Sequence, residues 1–344
     1  MGSITLRLSD VKSEPEGRPA SCQYCGSSVL QGWGRERKPI RDPQLREVVV
    51  RRYKCGMCGR TFRHYPLGVG AGDQSRRLQQ LAATIWVLGL SLRSISGVLG
   101  VFNLQLAHMT VWRDVQAGGR ERRVANWPPQ ARVLGVDGLW LKVKGKKRGV
   151  VVAVDLGNGA PVALLEVEEA DSQAMANWLR PLMQELGVEV LVTDDLSGYG
   201  AVAEELQVQH QVCRFHMRRW VGRALRQLSQ EVAPEWQAAI VEVQRIVRDL
   251  PADGRQLLYE LWEQLGQVVH AVRKRPRSAL ERLRLIVLRL HQEWEKYTLF
   301  QRQLDVPATN NGSERAIGRW RTRSRTARGF KSLTGVEAAF FLCA

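Results

Sequence analysis

Long apolar runs are missing from this chain of 344 residues. The longest candidate, near Leu81 to Leu92, is interrupted and falls short of the roughly 20 apolar residues a membrane-spanning helix requires. The opening Met1-Gly-Ser-Ile-Thr-Leu-Arg-Leu has no apolar stretch of the kind that directs export, and Leu6 stands where a myristoylation signal needs Ser or Thr. Membrane and secreted classes are set aside on these grounds. Acidic residues are also in short supply: 34 Asp plus Glu face 51 Lys plus Arg, a formal net charge of +17. That balance points to a polyanionic partner. Cysteine is scarce too, with 6 in all.

Four of the six fall in two identical spacings, Cys22-Gln-Tyr-Cys25-Gly and Cys55-Gly-Met-Cys58-Gly. Paired Cys-x-x-Cys knuckles of this kind supply four sulfur ligands for tetrahedral Zn²⁺. Two disulfides are the rival reading, disfavoured because nothing suggests export from a reducing compartment. Val48-Val-Val and Arg51-Arg-Tyr-Lys lead as a strand into the second knuckle, the layout of a zinc ribbon. Such a small element has little core of its own, so the zinc is expected to be structural and to supply much of its folding free energy. The nearby Arg35, Arg37, Lys38, Arg51, Arg52 and Arg60 suit DNA contact or an ordinary solvated surface equally.

After Pro66 and Gly68-Val-Gly-Ala-Gly the apolar period becomes helical. Leu78, Leu81, Ala82, Ile85, Trp86 and Leu88 form one face, Leu92 to Leu99 a second short helix, and His108-Met-Thr-Val-Trp-Arg a third. The pattern looks like a helix-turn-helix, in which Thr110 and Arg113 would face the major groove. Plain three-helix packing is the alternative. Asn126-Trp-Pro-Pro-Gln reads as a rigid linker.

From Arg132 the periodicity predicts strands over 132–143, 148–156, 160–168, 188–193 and 208–215, with helices near 172–186 and 198–206. The first three strands form an antiparallel meander. The fourth joins beside the first through a crossover helix, which sets two aspartates on neighbouring strands. Asp137 interrupts the apolar run Arg132-Val-Leu-Gly-Val-Asp-Gly-Leu-Trp-Leu, and Asp194 ends Val188-Glu-Val-Leu-Val-Thr-Asp-Asp. Glu314 follows the turn and capping stretch Thr309-Asn-Asn-Gly-Ser and opens a helix carrying Ala316, Ile317 and Trp320. Mg²⁺ takes oxygen ligands and is usually held by one or two carboxylates plus substrate phosphate, so a few acids converging from separate elements suffice. Asp195 is the rival for the second position; Asp194 is preferred because it directly follows the apolar Val190-Leu-Val-Thr run.

Asp137 in Gly-Val-Asp-Gly-Leu-Trp, Asp194 in Val-Thr-Asp-Asp-Leu-Ser-Gly-Tyr, Cys213-Arg-Phe-His216, and Asn310-Asn-Gly-Ser-Glu-Arg with the later Gly329-Phe-Lys-Ser resemble the DDE transposases of bacterial insertion sequences. The similarity is to the branch that includes Mutator-like elements and spans roughly residues 130 to 340. The resemblance implies an RNase H-like core in which Asp137, Asp194 and Glu314 are catalytic. They would bind two Mg²⁺ ions, with Mn²⁺ able to substitute, to cut and join DNA strands. Asp195, Cys213 and His216 are then active-site support, the pair at 213 and 216 being nearer a structural role than a zinc site.

The fold expected is thus multidomain α/β. A zinc ribbon spans 1–66, a helix-turn-helix 74–120, the first part of the catalytic core 130–216, a helical insertion 217–305 with breaks at Pro251, Gly254 and Pro276, and the glutamate-bearing end of the core 306–344. Trp220 and Trp294, within the insertion, are core residues or, less simply, platforms for a flipped base. Arg315, Arg319, Arg321, Arg323, Arg325, Arg328 and Lys331 follow Glu314 closely and are expected to hold backbone phosphate in a salt-dependent way, a solvated basic face being the bland alternative. The function implied is cleavage and strand transfer at transposon ends by a homo-oligomer. Its partners would be double-stranded terminal repeats and target DNA, its place the bacterial cytoplasm, with no membrane. A catalytically inactive or domesticated DNA-binding regulator is the competing class.

Overall fold

A computed structural model of the chain describes residues 8–168, 170–268, 278–327 and 329–343; residues 1–7, Pro276 and Arg328, which figured in the sequence reading, lie outside them. The chain divides into two compact units. The first is Met1–Ala125 with Lys142–Gly145 and Arg319–Ala344, and the second is Asn126–Leu141 with Lys146–Gly318.

The first unit opens with a three-stranded antiparallel sheet of β1 (Leu30–Pro39), β2 (Glu47–Cys55) and β3 (Thr61–His64). Two small apolar clusters serve it: Ile40 with Val48 and Val50, and Cys22, Leu30 and Cys55 with Tyr53 and Phe62. Neither amounts to a domain core, which agrees with a part that depends on its thiols. Helices α1 (Arg76–Val87) and α2 (Leu92–Val101) begin at Ser75 and Ser91, each accepting a hydrogen bond from the backbone amide three residues on, and α3 covers His108–Asn126. The buried carboxylate of Asp42 ties the sheet to α1. It accepts from the Ser75 hydroxyl at 2.5 Å and from Arg77 at 3.2 Å, while the Gln44 and Leu45 amides donate to it as well. Six residues, 102–107, separate α2 from α3.

In the second unit, β4 (Val133–Val143), β5 (Lys146–Asp155) and β6 (Pro161–Leu165) are followed by α4 (Ser172–Leu186), β7 (Val190–Thr193), α5 (Ser197–Glu205) and β8 (Gln209–Val212). They form one mixed sheet in the order β6-β5-β4-β7-β8; β5 and β6 are antiparallel, whereas β4, β7 and β8 run parallel. Alternation along each strand sorts side chains to two faces. Leu134, Val136 and Leu191 pack with Met175, Leu179 and Tyr199 of α4 and α5, while Val133, Val190 and Val192 pack with Leu299 and Val306. The helical stretch that follows comprises α6 (Arg214–Leu228), α7 (Gln237–Asp249), α8 (Gly254–Val268), α9 (Ala279–Gln292) and α10 (Trp294–Arg302). It has a core of its own, built from residues such as Met217, Leu225, Val243, Leu258, Val287 and Trp294. Gly254 is required there, since a Cβ on it would lie 2.4 Å from the Trp294 ring. Trp294, 5% exposed, is therefore a core residue, and Trp220 packs against the same cluster beneath the guanidinium of Arg289.

The last helices are α11 (Asn311–Thr326) and α12 (Leu333–Cys343). Within the first unit α12 approaches α3 closely: a Cβ on Gly119 would lie 2.7 Å from the Cα of Ala338. One expectation is corrected here. Arg323 does not face solvent as a phosphate-binding residue should. It is 4% exposed, its guanidinium lies 4.2 Å from the Trp86 ring centroid, and it donates to the carbonyls of Gly89 and Leu90 at 3.2 and 3.3 Å. Those carbonyls follow the end of α1, so a cation with a flat face and several donors satisfies acceptors that the helix leaves without partners. Arg315, Arg319, Arg321, Arg325 and Lys331 are exposed.

Candidate active site

Two aspartates reach the same end of the sheet by strand geometry alone. The parallel register pairs Val133 with Val190, Leu134 with Leu191 and Gly135 with Val192. Carried two residues further, it sets Asp137 opposite Asp194. Both share the parity of Val133 and Val190, so both belong to the sheet face away from α4 and α5. Asp137 Oδ1 accepts from the amide of Gly138 at 2.9 Å, and Asp194 Oδ1 accepts from the amide of Leu196 at 3.3 Å.

The third acid arrives because the start of α11 docks onto β4. Asn310, 1% exposed, donates from Nδ2 to the carbonyl of Val136 at 2.9 Å, one peptide before Asp137. Its backbone amide donates to Cys213 Sγ at 3.4 Å, and its carbonyl accepts from the amide of Glu314 at 3.1 Å. Gly135 makes room for this approach: a Cβ there would lie 2.4 Å from Ser313 Oγ and 2.6 Å from Asn310 Oδ1. The glycine before Asp137 and the Asn-Asn-Gly-Ser before Glu314 are thus two halves of one joint.

His216, on the first turn of α6, links the acids. Its Nε2 is 3.9 Å from Glu314 Oε1. Its affinity for a proton is raised, first by a hydrogen bond with the Cys213 thiol and then by the fields of Asp194 and Glu314, with burial opposing. Cys213 is fully buried; burial resists its ionisation, but hydrogen bonds from His216 and from the amides of Asn310, His216 and Phe215 outweigh it and lower the thiol's pKa. Asp195 faces elsewhere. Arg289 of α9 lies 3.0 Å from its Oδ2, and the hydroxyl of the buried Tyr297 of α10 donates at 3.3 Å. Burial raises its pKa against the pull of Arg289 and Tyr297. The helical stretch therefore grips the residue next to Asp194.

The donor set suits a hard cation: carboxylate oxygens from within β4, from just past the end of β7 and from a helix start, with the buried Asn310 Oδ1 at the same joint lacking any hydrogen-bond partner. The three acids are not collapsed on one point. Among the described residues, the four cysteines of the first unit are the group of three or more ligating atoms found within 4.8 Å of one another. Cys22 Sγ is 3.8 Å from Cys58 Sγ, and Cys25 Sγ is 3.6 Å from Cys55 Sγ. A tetrahedron with Zn–S of about 2.3 Å sets its sulfurs roughly 3.8 Å apart, so the thiols already have the spacing of a Zn²⁺ site. The amide of Cys58 leads in drawing the Cys55 thiol down to about 6. Cys25 is pushed up to about 11: the Ser27 amide lowers it, but the Cys55 thiol, burial and the remaining thiols prevail.

Arg113 on α3 is exposed and Thr110 half-buried. Sequence reasoning missed Gly135, Asn310 and Ser313 as the docking joint, together with Arg289 and Tyr297. The Gly-x-Asp and Asn-x-x-Ser-Glu spacings were visible, but only the fold shows that they meet.

A mixed α/β unit, with a sheet of five strands and helices on both sides of it in sequence, is the class the geometry defines. Residues 140–338 match the family described as "Transposase IS66 family". The chain belongs to that family. Asp194 and Glu314 fall inside the matched span, and Asp137 lies three residues before it. A curated relative, "Insertion element ISM1 uncharacterized 48.3 kDa protein" of Methanobrevibacter smithii, is 24% identical over 217 residues, covering 60% of this chain and 53% of the relative. The chain thus spans about half the length of that relative. A solved structure, the "Drosophila P element transposase strand transfer complex", aligns with a TM-score of 0.39 at 10% identity, over 77% of this chain and 91% of that one. No helix among the described residues is long and apolar enough to cross a membrane.

Proposed function

We propose that the chain is an insertion-sequence transposase that cuts and joins DNA strands at transposon ends, with Asp137, Asp194 and Glu314 as its metal-binding catalytic acids. The observation that carries this is the joint in which Asn310, four residues before Glu314, hydrogen-bonds the peptide before Asp137. It ties the start of the helix that carries Glu314 to the peptide before Asp137, and these two acids are 177 positions apart in sequence. The sheet order β6-β5-β4-β7-β8, with β5 and β6 antiparallel and β4, β7 and β8 parallel, supports the RNase H-like reading.

Divalent metal held by the three acids would supply the charge that polarises a phosphodiester and activates a water, then a 3′-OH, for in-line attack. Asp137 from within β4 and Asp194 from the end of β7 fix one side of the site; Glu314 closes it from a helix. His216, beside Glu314 and in the field of Asp194, orients the glutamate and shares protons with Cys213. Arg315, Arg319, Arg321, Arg325 and Lys331 offer exposed cations for DNA phosphates, and α2 and α3, with Arg113 and Thr110, serve as a helix-turn-helix for end recognition. Zn²⁺ at Cys22, Cys25, Cys55 and Cys58 stabilises the ribbon. The DNA partners are the terminal repeats and the target duplex, and joining two ends calls for a homo-oligomer.

The test is Mg²⁺-dependent cleavage of a labelled duplex carrying the element's terminal repeat, by wild type and Asp137→Ala. Cleavage by wild type alone is expected. Binding by both with cleavage by neither would replace the transposase with a DNA-binding regulator.

A further inference from the structure

Most tryptophans of the second unit are spoken for by packing, but Trp140 is 49% exposed. It stands three residues beyond Asp137 on β4 and forms the rim of a cavity of about 310 Å³. The other walls are mostly apolar, from Leu139, Val150, Val167 and Leu196, with Glu168 and Ser197 as polar members. Leu196 is itself 45% exposed, a costly place for a large aliphatic side chain unless something covers it. It also joins the cavity to the acids directly: its backbone amide donates to Asp194 Oδ1 while its side chain forms the wall.

We infer that this cavity receives a single unstacked nucleobase from the DNA strand whose phosphate lies at the carboxylates. The inference rests on the transposase reading above and adds a substrate subsite to it. Size is the first reason. The volume sits at the lower end of the range for small-molecule pockets, enough for one base. Chemistry is the second. A flat, apolar slot rimmed by an indole suits the face of a base, since aromatic stacking is tolerant of sequence and every base has a π-face. Charge is the third. Lys147 Nζ lies 4.9 Å from the Trp140 ring centroid, which sets a cation at the rim where the phosphate of an inserted nucleotide would run. Glu168 is the acidic group among the described residues that line the cavity; it repels phosphate and accepts from an exocyclic amino group, so it favours base inward and backbone outward. Backbone held at the acids, with a base turned past the end of β7 into the cavity, would fix the scissile phosphate in register, which metal ligands alone do not do.

Two probes test this. A short oligo-dT strand carrying one central 2-aminopurine reports stacking without any knowledge of the terminal repeat. The same fluorophore placed beside the scissile phosphate of the repeat duplex reports it during cleavage. Wild type should quench both probes on binding, Trp140→Phe should retain most of the quenching, and Trp140→Ala should lose it. Binding of the single strand should weaken roughly 5- to 140-fold in Trp140→Ala, the fold-change equivalent of one base stack. An abasic site beside the scissile phosphate should slow wild type and leave Trp140→Ala unaffected, a coupling that general loss of folding would not produce. Quenching that depends on Trp140 without any Mg²⁺-dependent cutting would sink the transposase reading and leave the base site standing. Cutting by wild type, with Trp140→Ala matching it in quenching, binding and abasic response, would overturn the base site.

Discussion

The molecule gathers metal-ligating side chains in two places, by opposite means. In the ribbon, four thiols from two short knuckles already lie within 4.8 Å of one another. In the sheet unit, the proposed carboxylates come from the middle of β4, the end of β7 and the start of α11, and do not form such a cluster among the described residues. The charges explain the contrast. A neutral thiol can share a proton with a neighbouring thiolate, so four thiols repel one another less than four carboxylates would. Three carboxylates at neutral pH repel one another and close only around a cation. The supports differ accordingly. Around the cysteines the apolar clusters are small, whereas Asp137 and Asp194 extend from strands whose cores are complete on both faces.

The sharpest way to break that comparison is to remove the ribbon's metal. Structural zinc contributes on the order of 10–16 kcal/mol in isolated finger peptides, so stripping it with a strong chelator, or making Cys55→Ser, should abolish hydrogen-exchange protection over residues 22–64. Protection in β4, β7 and β8 should persist, since no thiol of the tetrad belongs to the second unit. Equal loss of protection in both units would show that the sheet unit is not held by its own packing.

The next effect concerns the acids. Asp137→Ala removes a ligand without removing packing, and cleavage should fall by about 10³-fold or more with little change in melting temperature, because a bound metal contributes several kcal/mol of charge stabilisation. A smaller and more discriminating change is Gly135→Ala, which leaves all three acids in place. The added Cβ would meet Ser313 Oγ at 2.4 Å and Asn310 Oδ1 at 2.6 Å, both buried, so the start of α11 must move off the sheet. Overpacking should cost about 1–3 kcal/mol of stability, and displacement of Glu314 by a fraction of a turn should slow cleavage by about 100-fold. The Mg²⁺ concentration for half-maximal rate should rise along with it. A stable Gly135→Ala variant with unchanged metal dependence would mean that the joint does not position Glu314.

The same contrast governs what could be read without coordinates. The cysteine tetrad is local: two spacings of three residues and a connecting strand define it, and the thiols indeed cluster. The strand pattern over 132–215 was equally legible, because the apolar period along each segment is a local signal, and each expected strand and helix there appears within a few residues of its expected place. The acids could be named from their apolar frames and their resemblance, but their scaffold could not. Nothing local in Gly135 says that Ser313 will sit above it, and nothing in Arg289 or Tyr297 says that they will hold Asp195. Arg323 failed for the same reason. It belongs to a run of arginines at near-alternate positions, and only the helix that carries them, by turning about 100° per residue, decides which one faces Trp86 and which ones face water.

Acid offers the finest separation of the two regions. His210 of β8 is 8% exposed, its Nε2 lies 2.8 Å from Thr193 Oγ1 beside Asp194, and its buried Nδ1 has no partner. Burial first, and then Lys296, lower its pKa to about 4. An unfolded histidine titrates near 6.5, so the unfolded chain binds this proton first. The stability linked to neutral His210 is complete above pH 6.5 and is lost as pH falls towards 4. At pH 5.5 the loss is about 1.4 kcal/mol, enough to lower the melting temperature of the sheet unit by about 3–5 °C. His210→Gln should flatten this slope between pH 7 and 5, measured with chelator present so that proton competition for the thiolates contributes nothing. If the slope survives the substitution, the acid sensitivity of the sheet unit lies with its carboxylates, and the neutral histidine behind Thr193 is not what fixes the strand end that carries Asp194.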